Sequence, residues 1–462
     1  MDPVVVVSNR GPLSFRLDDD GNPLAVGAAG GLAGTLQPLL EGSGSTWISC
    51  SMSEADRTAA ARGLMRGEGL RLLNVFPSPD VYRMAYDVIS NATLWFCFHH
   101  LFDLSRRPRF DSRWREAWEG YRELNRQFAR LVVEAAPEGS SVLVQDYHLL
   151  LTGRLIARER PDLRTVHFLH TPFCSPEILR VLPPDVAGEL LSGMAGFGAC
   201  GFHARRWESC FRQCWEDPEL AAAAGSPPPP TFVAPIGPVP EAIQSEAASP
   251  ACAQARRSLR QLVGDRRLIV RVDRVELSKN ILRGCWAVEE LLELHPDWRG
   301  RVVLLALAYP SREGLAEYLA YRSEVEHAVE RINERWGQGD WQPIVLDVAD
   351  DRARSLAALC EYDVLLVNPL RDGLNLVAKE GPLINATDGV LALSREAGAW
   401  PELREDAVGL NPFDVHGTAE ALDAALRMEP PERRRRADAL RQRVLSRRAA
   451  DWLEDQLLAA GR

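Results

Sequence analysis

What most constrains this chain is the alternation of short, mainly apolar runs with longer amphipathic stretches. The runs at 4–8, 141–145, 165–169, 268–272, 302–308, 344–346, 363–367 and 390–394 lack the polar alternation of a half-exposed strand, so they read as strands buried on both faces. Between them, 114–136, 286–295 and 312–336 carry apolar residues at helical spacing. Strand and helix in turn predict an α/β chain with parallel sheets. One segment breaks the rhythm. From 221 to 240 come four alanines, Gly225-Ser226, Pro227 to Pro230, then Pro235, Pro238 and Pro240, a composition that interrupts any regular element and stiffens a connector. The chain therefore divides into domains at 1–238 and 239–445, each doubly wound, facing one cleft with ligands at the carboxyl ends of the strands. The stretch 432–461 reads as helical and its Arg433 to Arg436 run as a solvated face; 446–462 is expected to cross back to the first domain.

Composition excludes several function classes. With 54 basic and 64 acidic residues the net charge is −10, so nucleic-acid binding needs a local basic stripe that the sequence lacks. No apolar run reaches the roughly 18 residues that span a bilayer, and Met-Asp-Pro followed by four valines is no secretory leader. A cytoplasmic protein is expected, with no membrane partner. The nine cysteines are scattered without a CxxC pair, which is reduced-thiol usage. Cys210 and Cys214, with His203 near, read as buried helical cysteines before they read as metal ligands. All but two of the 54 basic residues are arginine. The exceptions, Lys279 and Lys379, keep a compact ammonium that a planar guanidinium does not copy.

Three segments carry candidate chemistry. The first strand ends in Ser8-Asn9-Arg10-Gly11-Pro12, and Ala29-Gly30-Gly31-Leu32-Ala33-Gly34 opens a helical stretch. Glycines before a helix let the backbone approach an anion at the positive end of the helix dipole, although a packing turn fits the same pair equally well. In the second half, Val272-Asp273-Arg274-Val275-Glu276-Leu277-Ser278-Lys279-Asn280 and Asn368-Pro369-Leu370-Arg371-Asp372-Gly373-Leu374-Asn375-Leu376-Val377-Ala378-Lys379-Glu380 both follow strands and precede helices. Arg274 and Lys279 leave one strand end together, where a diphosphate leaving group needs its charge met. Gly373 permits a tight turn, the backbone at Leu376 and Val377 starts a helix, and Glu380 lies on that helix face, where a carboxylate can accept both hydroxyls of a ribose.

At these segments the sequence resembles the trehalose-6-phosphate synthase family, retaining glycosyltransferases with two Rossmann-like domains (the GT-B type, family GT20). The likeness runs from 8 to about 414 and includes Ser8-Asn9-Arg10, Gly30-Gly31-Leu32, Ser90-Asn91 to Trp95, Asp146-Tyr147-His148-Leu149-Leu150, His170-Thr171-Pro172-Phe173, Pro235-Ile236-Gly237, Arg274 to Lys279, Arg371 to Glu380 and Asn411-Pro412-Phe413-Asp414. The resemblance implies transfer of glucose from GDP- or UDP-glucose to glucose 6-phosphate, giving trehalose 6-phosphate. It implies that Arg274 and Lys279 hold the donor diphosphate with the Gly31 and Leu32 backbone, that Asp372 binds the donor glucose beside Asn375, Leu376 and Val377, and that Glu380 binds the ribose. Arg10, Tyr86, Trp95 and Arg312 would form the glucose 6-phosphate pocket; His170 would sit near the donor sugar and Asp146 near the acceptor. The last two have structural alternatives, as a helix cap and as a hydrogen-bonded histidine; His99 and His100 look structural. Such relatives transfer by front-face attack, the leaving phosphate taking the proton, with two cationic side chains in the place of a metal. No cofactor is expected. Related enzymes with another acceptor, such as glycerol phosphate, or with a cyclitol donor remain alternatives; a non-catalytic regulator is disfavoured because Asp146, His170, Arg274, Lys279, Asp372 and Glu380 are all present. No appended phosphatase domain is expected, and whether the chain forms a homo-oligomer is left open.

Departures from the family pattern are informative. Gln145 stands before Asp146 where histidine is usual, Pro238 follows Pro235-Ile236-Gly237, and Asp273 to Lys279 keeps the Arg274 to Lys279 spacing while changing the residues between. Leu346-Asp347-Val348-Ala349-Asp350-Asp351-Arg352 replaces an Asn-Gln-His-Phe-Asp type run, which puts Asp350 in the place of an aromatic near the nucleotide base. A carboxylate accepts two hydrogen bonds from the N1–H and N2–H2 edge of guanine but meets mostly carbonyls on uracil, which makes a GDP donor a candidate beside UDP. Equally, Asp347, Asp350 and Asp351 fit a solvated loop.

Overall fold

In a computed structural model, residues 3–27, 31–51, 53–65 and 69–461 are described. The chain forms two compact units, Met1–Pro235 together with Ala449–Arg462, and Ile236–Arg448. The first unit holds seven parallel strands in the order β5-β4-β1-β6-β7-β8-β9. These are β1 (Val5–Val7), β4 (Thr46–Cys50), β5 (Arg71–Val75), β6 (Ser141–Gln145), β7 (Arg164–Leu169), β8 (Ala199–Phe202) and β9 (Thr231–Val233). A separate antiparallel hairpin joins β2 (Leu13–Leu17) to β3 (Pro23–Gly27). The second unit holds six parallel strands in the order β12-β11-β10-β13-β14-β15. They are β10 (Arg267–Arg274), β11 (Val302–Tyr309), β12 (Ile344–Asp347), β13 (Val364–Val367), β14 (Val390–Ser394) and β15 (Val408–Leu410).

Both sheets are doubly wound, as the apolar runs require: β1, β6, β13 and β14 are buried along their whole length, so helices must cover both faces. The Ser112–Ala135 helix shows how one is specified. Asp111 caps it by accepting the Trp114 N–H, and Trp114, Trp118, Tyr121 and Phe128 fall on one buried face. In each sheet the strand order reverses at one point, between β1 and β6 in the first unit and between β10 and β13 in the second. There the loops leaving two adjacent strands run to opposite sides and open a crevice, so these are the places to look for ligands.

The proline-rich stretch is not the featureless connector its composition predicts. It contains the Pro218–Ala224 helix and the edge strand β9, which pairs with β8. The four prolines precede β9, and an edge strand is the one place in a sheet where missing N–H donors nearby are harmless. The arginine run also departs from expectation. Arg433 is buried and donates to the carbonyls of Asp388 and Thr387 and to Asp363, while Arg435 and Arg436 both pair with Glu432. Only part of that run is a solvated face. The Ala449–Ala460 helix packs on β6, β7 and β8 and on the Gly31–Leu40 helix, with Trp452 edge-on to Phe168 at 5.2 Å. Gly237 is required at its place because a Cβ there would collide with the Arg447 carbonyl. Among the described residues no helix is long and apolar enough to cross a membrane.

Candidate active site

At the switch point of the second unit, β10 ends in a run of charges. Arg271, fully buried in mid-strand, donates from Nη2 to Asp273 Oδ2 and to the Lys279 carbonyl, both at 2.8 Å. It thereby ties down the turn that follows, Leu277–Lys279, which closes on Asn280 in the left-handed region (φ 59°) before the Ile281–Leu294 helix. Lys279 Nζ stands 2.6 Å from Asp372 Oδ2 across the switch point. Burial works against its charge, but Asp372 and Asp273 outweigh it and the Lys279 pKa is raised.

Glu276 forms the second half of this site. It is fully buried, and its Oε1 lies 3.2 Å from Arg274 Nε, 3.5 Å from Arg312 Nη1 and 2.9 Å from the Ser311 hydroxyl that donates to it. Burial alone would raise its pKa; Arg274, Arg312 and Lys279, with the Ser311 hydrogen bond, reverse that and hold it at about 2. Arg312, grouped by resemblance with Arg10, Tyr86 and Trp95, thus belongs to the second unit and shares a carboxylate with Arg274.

Beyond β13, Asp372 accepts the Leu374 N–H and the Asn375 side-chain amide, an Asx-type turn. Asn375 adopts φ 78° and accepts the Ala378 N–H, so Asn375, Leu376 and Val377 form the entry to the Val377–Ile384 helix. On that helix Glu380 faces Arg352 at 3.5 Å. Lys379 points elsewhere: its Nζ meets Glu402 at 2.5 Å and the Ile236 carbonyl at 2.9 Å, so one lysine serves the switch point and the other clamps the fold. At the end of β12, Asp347 is taken by Arg354 at 2.9 Å, and in the loop that follows Asp350 and Asp351 are both exposed, Asp351 capping the Arg352–Glu361 helix.

The switch point of the first unit is built mostly from uncharged polar groups, with Arg10 and Asp146 as its charges. Ser8 accepts from Trp47 Nε1 and donates to the Arg10 carbonyl, fixing the turn after β1. Arg10 Nη2 donates to the Tyr86 hydroxyl at 3.2 Å, and Tyr86 stacks between Tyr82 and His148. Trp95 follows the same helical segment, is almost wholly buried, and stacks on His99 at 3.9 Å. After β6, Asp146 takes φ 72°. Its side chain makes no cap bond to the next turn and instead accepts the His170 N–H at 3.3 Å. The His170 ring is held on both nitrogens, Nε2 with Gln145 Oε1 at 3.0 Å and Nδ1 with His203 Nε2 at 3.1 Å, while Gln145 donates to Gln456 of the last helix. Burial, with His167 near, pushes the His170 pKa from 6.5 to about 3, so the ring is neutral at pH 7. Gly31 opens the Gly31–Leu40 helix with Leu32 following it; Ala29 and Gly30 lie outside the described residues.

Sequence reasoning missed Arg271, Glu276, Arg352 and Gln456. The signal for the first was present, since an arginine inside 268–272, a run that reads as a doubly buried strand, needs a partner, and Asp273 stands directly after it. Among the described residues no group of three or more His, Cys, Asp or Glu is placed to hold a metal ion.

Comparison with known proteins agrees with this layout. The chain matches the family model described as glycosyltransferase family 20 over residues 2–460. It is 34% identical over 480 residues to the trehalose-6-phosphate synthase of Mycolicibacterium smegmatis, covering 99% of this chain and 92% of that one. Against the bifunctional trehalose-6-phosphate synthase/phosphatase of Thermoproteus tenax the identity is 32% over 471 residues, and the chain spans 62% of that relative's length. Among solved structures, the α,α-trehalose-phosphate synthase (UDP-forming) of Burkholderia xenovorans in complex with glucose 6-phosphate is similar with a TM-score of 0.84 at 29% identity, over 99% of this chain and 100% of that one. The Escherichia coli trehalose-6-phosphate protein bound with UDP-2-fluoro glucose gives 0.83 at 28% identity, over 99% of each chain.

Proposed function

Because the chain belongs to glycosyltransferase family 20, we propose that it transfers glucose from a nucleotide-glucose to glucose 6-phosphate with retention, giving trehalose 6-phosphate. The observation that carries this reading is the Lys279 and Asp372 pair beside Arg274 at the second unit's switch point. A sugar bound by Asp372 places its anomeric diphosphate against Lys279 and Arg274, which is where negative charge develops as the glycosidic C–O bond breaks. The relatives crystallised with glucose 6-phosphate and with UDP-2-fluoro glucose support the two substrate classes.

In this reading the 1-hydroxyl of glucose 6-phosphate attacks the anomeric carbon from the face the diphosphate leaves, and its proton passes to the departing phosphate oxygen. The chain's groups bind, orient and exclude water. Asp372 accepts donor glucose hydroxyls, the backbone from Asn375 to Val377 and that of Gly31 and Leu32 donate to the donor, and Glu380 accepts from the ribose. Neutral His170 orients the donor sugar rather than acting as an acid, since a ring with a pKa of about 3 is not an imidazolium at pH 7. Asp146 is assigned to the acceptor hydroxyl, and Arg10, Tyr86, Trp95 and Arg312 to glucose 6-phosphate. In this reading the first unit supplies most of the acceptor groups and the second most of the donor groups, with Arg312 and the Gly31 and Leu32 backbone as the exceptions, and the enzyme works in the cytoplasm without a metal, a nucleic acid or a membrane partner.

For the base, Asp350 is an exposed carboxylate of the loop after β12 that, unlike Asp351, does not cap the next helix, and we assign it to the N1–H and N2–H2 edge of guanine, which favours a GDP donor over UDP. The test is incubation with glucose 6-phosphate and ADP-, GDP- or UDP-glucose, following nucleoside diphosphate release and identifying the sugar by mass and NMR. An α,α-linked product establishes the reaction; no product with any donor overturns it and turns the search to other acceptors or cyclitol donors. An unchanged GDP to UDP preference in Asp350→Ala sinks the base assignment alone.

A further inference from the structure

The first turn of the Arg352–Glu361 helix carries two arginines and no acid. That is the unfavourable end for a cation, because the helix macrodipole is positive there. Both side chains are engaged elsewhere: Arg354 goes to Asp347, and Arg352 bridges two helices, donating from Nε to Glu246 Oε2 at 2.9 Å and reaching Glu380 Oε2 with Nη1 at 3.5 Å. Glu246 belongs to the Pro240–Ala247 helix and Glu380 to the first turn of Val377–Ile384, so one guanidinium ties three helices at the edge of the donor site.

We propose that Arg352 is a positioning residue of the nucleotide-ribose site, holding the Glu380 carboxylate in place as the acceptor of the two ribose hydroxyls. The proposal rests on the donor reading given above and adds to it a residue that neither the sequence nor the relatives assign. The Glu380 side chain is 16% exposed against 39% for Arg352, so the carboxylate bears the desolvation and the guanidinium keeps access to water. Burial raises the Glu380 pKa, Arg352 opposes that rise and Glu246 adds to it. The charges that act on it are Arg352 and Glu246; of the elements packed against its helix, β13 and β14 present mainly apolar residues, and the Pro430–Leu445 helix brings Arg441 to the Asn385 carbonyl. A carboxyl group that takes up a proton turns from acceptor to part donor and no longer serves two hydroxyls at once. Losing Arg352 therefore weakens ribose binding, and weakens it further as pH falls through the raised pKa.

The experiment is calorimetric titration of the full chain with UDP, GDP and their 2′-deoxy analogues between pH 5.5 and 8.5, using wild type, Arg352→Met, Arg352→Lys and Glu380→Gln. Wild type is expected to prefer the ribo over the 2′-deoxy nucleotide. Arg352→Met is expected to lose about tenfold in affinity for the ribo form at pH 7.5, the size of one charge-assisted hydrogen bond. The loss is larger at pH 5.5 and small for the deoxy form, and Arg352→Lys restores part of it. Equal losses for ribo and deoxy nucleotides, or no loss, in Arg352→Met overturn the proposal while Glu380→Gln still narrows the ribo preference. If Glu380→Gln leaves that preference intact, or wild type binds no nucleoside diphosphate, the donor reading fails and the proposal falls with it.

Discussion

The two switch points solve the same topological problem with different chemistry. In the second unit β10 and the loops after β10, β11 and β13 bring together charges, most of them buried: Arg271 with Asp273, Lys279 with Asp372, and Arg274 and Arg312 around Glu276. In the first unit mostly uncharged groups meet, Gln145 at the end of β6, His170 after β7, His203 after β8, Tyr86 and Gln456 from helices, with the Asp146 carboxylate on the His170 N–H and Arg10 as the cation on the Tyr86 hydroxyl. A diphosphate that gains charge as it leaves needs fixed cations already in place, whereas a neutral sugar hydroxyl needs orientation. The contrast separates a charge-stabilising half from a positioning half.

The largest test of this contrast removes one fixed cation. Lys279→Met is expected to lower kcat by about 10² to 10³, as loss of one preorganised electrostatic group does, with a smaller change in the KM for glucose 6-phosphate; steady-state kinetics with both substrates varied reads this. A fall in acceptor affinity with kcat intact would erase the division of labour.

Acid stability is expected to differ between the halves in the same spirit. Glu276 has its folded pKa depressed from 4.5 to about 2, so its contribution is fully present above pH 4.5 and is lost as pH falls toward 2. The size is about 3 kcal/mol. Denaturant melts from pH 5 to 2 are expected to show that loss in wild type and a flatter profile in Glu276→Gln, which starts from a lower stability.

In the first unit the window is higher. His170 and His167 are held neutral, with pKa values of about 3 and 4 against 6.5, so the unfolded chain binds protons first and stability falls as pH drops below 6.5. His170→Asn is expected to remove part of the slope between pH 6.5 and 4; an unchanged slope would mean that the ring is not buried neutral in solution. The smallest expected effect is Tyr86→Phe, which deletes the hydroxyl accepting from Arg10. It should cost about 1 kcal/mol, read as a several-fold rise in the KM for glucose 6-phosphate with the donor KM unchanged.

Much of this was legible before any coordinates. The strands at 141–145 and 390–394 coincide with β6 and β14, because a short run buried on both faces is apolar in its middle and keeps polar residues to its ends. Strands β4, β5 and β8 escaped notice because their runs are mixed: Ser49 interrupts one, Asn74 another, and Gly201 sits in the third. The 221–240 stretch read as the boundary, split at 238 and 239, and the units divide inside it at Pro235 and Ile236, past an edge strand whose pairing comes from β8 rather than from its own residues.

What the sequence determined by itself was the kind of fold and the location of its chemistry: apolar runs that must be doubly covered, and charges, glycines and helix starts placed just after them. These are local properties, set by the period of the backbone and by the few residues that tolerate a tight turn. Which charge meets which was decided by the tertiary structure. Lys279 and Asp372 lie 93 residues apart, Gln145 and Gln456 311 apart. Strand order makes the first pair neighbours and the packing of the last helix makes the second. A side chain's periodicity records which face it occupies; its partner depends on which strand or helix is laid beside it, and that is settled only when the whole sheet is assembled.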